Sequence, residues 1–355
     1  MLLTIYLLLI LCGVFIKESK VYNFLTVSFL GFITLDNYSA ADYASLYLPT
    51  YLNPSFDSKV GAGWIYLCYL GNFIHLSYNS FAAIVCMLCV GCLILVSSKL
   101  HINSSFVLCI FLIYPGLISI VQFRQFVASI LTLVAVCVLC SNKKGKIIYY
   151  YILILVASSI HSSAIIMSLI PILFYYNNLK KVSKIIFGFF LIFAVVYVFS
   201  NYEKIALMFF GEKTNIYLSD GAMNHSLFGQ FKNVFLLVLM AVWAFTCEQN
   251  LSFNRYVDGK NSEYSARVFK CFLYANYLML IFLPVISITD DFMRFERYAF
   301  TCDIFIFSFF ACSFRKRHGS RVIYPVLASV FALFYVMNNY EGVYIPLLTY
   351  SPLNF

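Results

Sequence analysis

Long apolar runs separated by short polar breaks fill the chain from end to end. Read from break to break, they predict helices over 2–16, 21–35, 79–97, 104–122, 126–140, 147–160, 162–176, 185–200, 231–247, 271–288, 298–314 and 321–338. A membrane span needs roughly 20 apolar residues. The shorter runs must therefore extend into their polar flanks, or the bilayer must thin around them. The stretch 62–76 is short, interrupted by Gly71 and rich in Tyr, which predicts a helix lying at the interface. The expected fold is all-α: a polytopic integral membrane helix bundle of about twelve transmembrane helices. It forms a single membrane domain over 1–355, with outer loops at 36–61, 201–230 and 289–297.

Composition removes the alternatives. Hydrophobic residues make up 62% of the 355 and charged residues 11%, whereas a soluble domain has about 45–50% and 25%. A soluble enzyme, a disordered chain and a nucleic-acid-binding module are excluded, the last two because they need charge that this chain lacks. The 38 Phe and 28 Tyr suit a lipid-embedded protein with aromatic belts at its interfaces. Most of the 12 cysteines sit inside apolar runs, so they predict no disulfide framework. Cys86, Cys89 and Cys92 are spaced three apart but are joined by no His or acid, so they read as small residues in helix packing rather than as a zinc site. The apolar N-terminus lacks a basic n-region and a small-residue cleavage site, so it reads as a retained first helix.

The basic residues set the orientation. With Lys17 and Lys20 in the cytoplasm, alternation places Lys99, Lys143, Lys144, Lys146, Lys180, Lys181, Lys184, Arg255, Lys260, Arg267, Lys270, Arg315, Lys316, Arg317 and Arg321 there too. That is most of the 24 Lys and Arg, as the positive-inside rule requires. The net charge of +9 is then a topology signal, and both termini fall outside.

The outer face holds the residues with chemistry. Asp42 opens a row of Tyr43, Tyr47 and Tyr51, four apart on one helix face, with Pro49 bending or ending that helix. Such a row either holds a sugar ring, with Asp42 accepting from its hydroxyls, or forms an interfacial belt. Arg124 and Gln125 stand between two apolar runs. An arginine near hydrocarbon costs up to about 2.5–3.5 kcal/mol, which a pyrophosphate would offset with bidentate hydrogen bonds. His161 lies at the tip of a tight hairpin, as a proton carrier, a phosphate ligand or a polar turn residue. The segment 289–298 carries the densest charge: Arg294 and Arg297, three apart, could grip a diphosphate, with Asp290 or Asp291 as a base.

Three stretches resemble the EpsG family of exopolysaccharide proteins, and within it the Wzy-type O-antigen polymerases. Asp42-Tyr43 with Tyr47 looks like that family's Asp-Tyr-x-x-Tyr, 123–129 like its Arg-Gln-x-x-Ala helix start, and 160–166 like its His-x-Ser-Ala hairpin followed by Pro171. The Arg294–Tyr298 region and a short tail with Pro346 fit as well. The sequence departs from the family at Ala40-Ala41, at Leu35 and at Gly61, where the family often has Gly-Thr, an Arg and an acid. The resemblance implies a glycosyltransferase of the GT-C kind in the bacterial inner membrane. It needs no metal or other cofactor and works on the periplasmic face. Its partners would be undecaprenyl-diphosphate-linked glycan, membrane lipid and a chain-length regulator protein, with no nucleic acid. In that reading Arg124, His161, Arg294 and Asp42 are catalytic. Arg297, Tyr43, Tyr47, Gln125, Asp290 and Asp291 bind substrate.

A lipid-linked oligosaccharide flippase has a similar helix count, but it needs ionisable residues inside its cavity, and only Asp303 lies well inside a span. A ligase typically has a longer periplasmic loop than 201–230. A membrane O-acyltransferase calls for reactive residues on the inner face.

Overall fold

The computed structural model describes residues 1–38, 42–56, 60–175, 262–281 and 293–313, with scattered positions between 196 and 242 and at 347–348. The predicted spans 185–200, 231–247 and 321–338, the loop 201–230, and Asp290 and Asp291 lie outside the described residues, apart from those scattered positions. Every regular element among the described residues is helical.

The first helices follow the predicted runs: α1 spans Leu2–Phe15, α2 Lys20–Leu35 and, further on, α5 Tyr78–Lys99. Their starts are set by local chemistry. The Ser19 hydroxyl accepts from the Tyr22 N–H at 3.3 Å and Ser77 from the Ser80 N–H at 3.2 Å, each satisfying a donor with no partner inside its helix. Between α2 and α5, the outer loop is itself helical: a π turn over Tyr43–Tyr47, then α3 Leu48–Leu52, then α4 Ala62–Phe73 in the place of the expected interfacial helix.

The predicted span 104–122 is a broken helix. Asn103 caps α6, Ser104–Phe111, a π turn follows over Leu112–Gly116, and α7 completes it over Leu117–Val121. The break falls at Tyr114 and Pro115, where proline has no N–H to continue the ladder. This element is buried along its length and packs against α1, α2 and α5. Tyr6 donates to the Leu112 carbonyl at 2.9 Å, and Asn23 Nδ2 donates to Ser104 Oγ at 2.7 Å.

Helix α8, Phe123–Leu139, runs back beside α9, Lys146–Ile160. The expected helix over 162–176 begins as a 3-10 helix, Ser162–Leu169, before α10 covers Ile170–Tyr175. Helices α11, Ser262–Ile281, and α12, Met293–Ser313, pack antiparallel. Phe269 meets Phe309 at 4.9 Å and Phe272 meets Phe305 at 5.8 Å between ring centres.

Three boundaries differ from expectation in the same way. Helix α8 starts at 123 rather than 126, α11 at 262 rather than 271, and α12 at 293 rather than 298. The charges that read as breaks are absorbed as first turns, so Arg294, Glu296 and Arg297 belong to a helix and not to the loop 289–297.

The ends of the bundle differ chemically. At one end Lys99 lies 4.8 Å from the Tyr264 ring centre, and Arg267 donates to Asn142 at 2.8 Å and to Glu263 at 2.9 Å. Lys143 and Lys144, in the turn between α8 and α9, and Lys146, the first residue of α9, lie at this end too. The first turns of α8 and α12, the last of α9 and the helical outer loop form the other end. This is the segregation that the charge pattern predicts. The flanks of α1, α2 and α9 expose Leu3, Leu7, Leu11, Phe24, Leu25, Ile148 and Leu155. Exposed apolar faces of this kind suit contact with lipid.

A polar pair also crosses the seam between α11 and α12. Asn276 donates to the wholly buried Asp303 carboxyl at 2.7 Å. Replacing Asn276 by Leu leaves the acid without its donor and is expected to cost about 1–3 kcal/mol. Replacing both residues by Leu should recover most of that loss. Thermal unfolding in detergent reads the difference.

Candidate functional site

The site is built where the first turns of α8 and α12 meet the last turn of α9 and the first of α4. At the start of α8, Arg124 and Gln125 are successive residues and so point about 100° apart around the helix. They serve two halves of the site.

Arg124 faces the outer loop. Its guanidinium carbon lies 6.0 Å from the centre of the Tyr47 ring, within cation–π range. Burial pushes the Tyr47 phenol up from its ordinary value, and the nearby Arg124 cation opposes that shift. Tyr47 also stacks on Tyr78, at 6.2 Å, and meets Trp64 at 5.9 Å between ring centres. Trp64 in turn meets Phe123 edge-on at 5.9 Å. The tyrosine row is thus the inner wall of an aromatic cluster rather than an exposed platform. Tyr51 is buried and donates to the Leu76 carbonyl at 2.8 Å, and Tyr43 packs on Tyr78. Asp42, at the start of that π turn, is half-buried. Two donors here, Arg124 Nε and Trp64 Nε1, are buried and meet no acceptor among the described residues.

Gln125 faces α12. Arg297, only 6% exposed, donates through one terminal nitrogen to Gln125 Oε1 at 2.9 Å and to Gln122 Oε1. Its Nε is buried with no acceptor among the described residues. Its partners are neutral amides, which orient the guanidinium without cancelling its charge. Beside it, the buried Tyr298 hydroxyl lies 2.9 Å from Ser163 Oγ, which lies 2.6 Å from His161 Nδ1. The 3-10 turn after His161 brings Ser163 to face both partners.

Helix α4 joins the halves. An ideal Cβ on Gly61 would lie 2.1 Å from the Ser159 carbonyl oxygen, and one on Gly63 would lie 2.2 Å from Ser159 Oγ. Only glycine permits that approach of α4 to the end of α9. An acid at 61 would meet the same carbonyl, which accounts for its absence here.

Arg124, Gln125, His161, Arg297, Tyr43, Tyr47 and Asp42 therefore gather at one end of the bundle. Arg294 lies one turn before Arg297 on α12, its side chain outside the described residues, as are Asp290 and Asp291. Sequence reasoning missed Gln122, Ser163, Tyr298 and Trp64 as members. Gln122 is three residues before Gln125, a helical-face spacing that could have flagged it. Ser163 and Tyr298 lie within the motif stretches, but only tertiary contact reveals their pairing.

The fold and site define a membrane-embedded, all-helical protein with an arginine-containing polar site at one end of its bundle. The EpsG family profile matches residues 3–351, nearly the whole chain, and the protein belongs to the EpsG family. That places it among membrane proteins of polysaccharide biosynthesis, a family associated with glycosyltransferase-like polymerases. No curated protein and no solved structure matches the chain.

Proposed function

We propose that this protein is a surface-polysaccharide polymerase of the O-antigen type. It joins undecaprenyl-diphosphate-linked repeat units on the periplasmic face of the inner membrane, in a bundle of about twelve spans with GT-C-like architecture. The observation that carries this reading is the pair of arginines at the outer end. Among the described residues, Arg124 and Arg297 each keep a buried Nε donor without an acceptor, and the ion pair formed there is Arg267 with Glu263, at the opposite end of the bundle. Cations held by neutral partners suit an oxyanion that arrives with the substrate.

In the reaction, an acceptor hydroxyl attacks the anomeric carbon of the donor glycan, and the bond from that carbon to the diphosphate oxygen breaks. The acceptor oxygen loses its proton to a base, and the lipid diphosphate leaves with the electron pair. Its developing charge is where preorganised arginines stabilise the transition state. Arg297 on α12 and Arg124 on α8 fill that role, joined by Arg294, one turn before Arg297. Asp42, Asp290 or Asp291 takes the acceptor proton, and His161, linked through Ser163 to Tyr298 next to Arg297 in the chain, serves as an anion ligand or proton carrier. Lipid surrounds the site, and a chain-length regulator would set product size from outside it.

A strain lacking the gene tests the reading. On a silver-stained gel, its lipopolysaccharide should collapse to core carrying a single repeat unit. Absence of any repeat unit points to a flippase or ligase instead, and an unchanged ladder removes the O-antigen reading. In a complemented strain, Arg124→Ala at normal protein level should abolish the long chains, while a wild-type ladder sinks the assignment of Arg124.

A further inference from the structure

We infer that neutral His161 carries its proton on Nε2 and presents it as a hydrogen-bond donor to a phosphate oxyanion, with Ser163 and Tyr298 as positioning residues that fix this tautomer. The oxyanion's identity as a substrate diphosphate rests on the polymerase reading. The tautomer stands on the hydrogen-bond chain alone.

The direction of that chain follows from Tyr298. Its hydroxyl is buried, and Ser163 Oγ, 2.9 Å away, is its one hydrogen-bond partner among the described residues. A buried O–H is donated to an acceptor in nearly every protein, so the phenol proton goes to Ser163. Ser163 is buried as well and has a single proton of its own, and that proton goes to its other partner, His161 Nδ1, at 2.6 Å. A ring nitrogen that accepts is unprotonated, which leaves the proton of a neutral imidazole on Nε2. The reverse order, from Nδ1–H through Ser163 to Tyr298, strands the phenol proton in a buried position.

The consequence is chemical. An Nε2–H group cannot take a proton from the acceptor hydroxyl, but it can donate to an anionic oxygen alongside the Arg297 guanidinium. The base is then a carboxylate, and His161 belongs with the arginines.

Two measurements decide this. The chain has five histidines, so ¹⁵N NMR of histidine-labelled protein in nanodiscs is tractable, with His161→Ala identifying the relevant signals. At a pH where His161 is neutral, Nδ1 should resonate as the unprotonated nitrogen and Nε2 as the protonated one. Ser163→Ala and Tyr298→Phe should move the population toward Nδ1–H. The reverse assignment in the wild-type protein overturns the inference.

The second measurement is chain extension by substituted enzymes. A glutamine amide places its N–H groups near the position of Nε2, whereas asparagine reaches only as far as Nδ1. His161→Gln should therefore retain measurable chain extension, while His161→Asn and His161→Ala lose it. Equal loss in all three, with normal membrane levels, overturns the donor role. Should the deletion strain show that the protein is no polymerase, the NMR result still decides the tautomer, and only the identity of the oxyanion falls.

Discussion

Arg297→Ala is expected to stop chain extension, with a fall in rate of about 10²–10³ if this guanidinium stabilises the leaving diphosphate as a preorganised donor does elsewhere. The side chain is poised for that role before any substrate arrives. Its orientation is fixed by Gln122 and Gln125, and its charge is left intact because both partners are neutral. Arg297→Lys should rescue little. One ammonium cannot keep both glutamine oxygens and also offer a planar pair of N–H groups to a phosphate. The alanine variant also leaves two amide oxygens without their donor, at a cost of about 1–3 kcal/mol each if they stay buried. Rate loss and instability must therefore be separated. The check is polymerisation of purified lipid-linked repeat units by detergent-solubilised enzyme, alongside the thermal midpoint of each variant. Wild-type product length from the alanine variant would remove Arg297 from the site.

The layout of this site was legible in the sequence at the level of which end and which motifs, and less so at the level of contacts. Charge alternation alone placed Arg124, His161 and Arg297 on the same face, because each loop's Lys and Arg content reports a side. Helix starts were the systematic error. Arg124 and Gln125 read as a break, yet both are good helix formers whose polar ends reach partners on other elements, Tyr47 for one and Arg297 for the other. The same holds for Arg267 near the start of α11, whose two terminal nitrogens donate to Glu263 and Asn142. A polar residue in an apolar chain marks a boundary only when its partner is water, and sequence does not name the partner. The tyrosine row shows the converse. Spacing correctly put Tyr43, Tyr47 and Tyr51 in one row, but Tyr78 and Trp64, which cover it, come from helices whose packing no local pattern encodes. Gly61, a departure from the family pattern when read along the chain, is a packing requirement once Ser159 is seen against it.

That contact makes Gly61→Ala the second large effect. The atom an added Cβ meets is a backbone carbonyl oxygen at 2.1 Å, with the carbonyl carbon at 3.0 Å. Neither can rotate away as a side chain would, so α4 or the end of α9 must move. Overpacking of this kind costs about 1–3 kcal/mol. Here the displacement also reaches function, because Ser159 is two residues before His161, and Trp64, three residues after the substituted Gly61, packs on Tyr47 and Phe123 beside Arg124. Both halves of the site would lose their common support. The variant is expected to unfold at a lower temperature and to make little polymer even where it reaches the membrane. Gly91→Ala is the matched control, since nothing lies within 4 Å of its Cβ position. There, alanine should leave activity unchanged and add up to about 1 kcal/mol, the ordinary helix preference for Ala over Gly. If Gly61→Ala behaved like Gly91→Ala, in melting temperature and in product length alike, α4 would not be what holds the His161 hairpin and the Arg124 turn in one site.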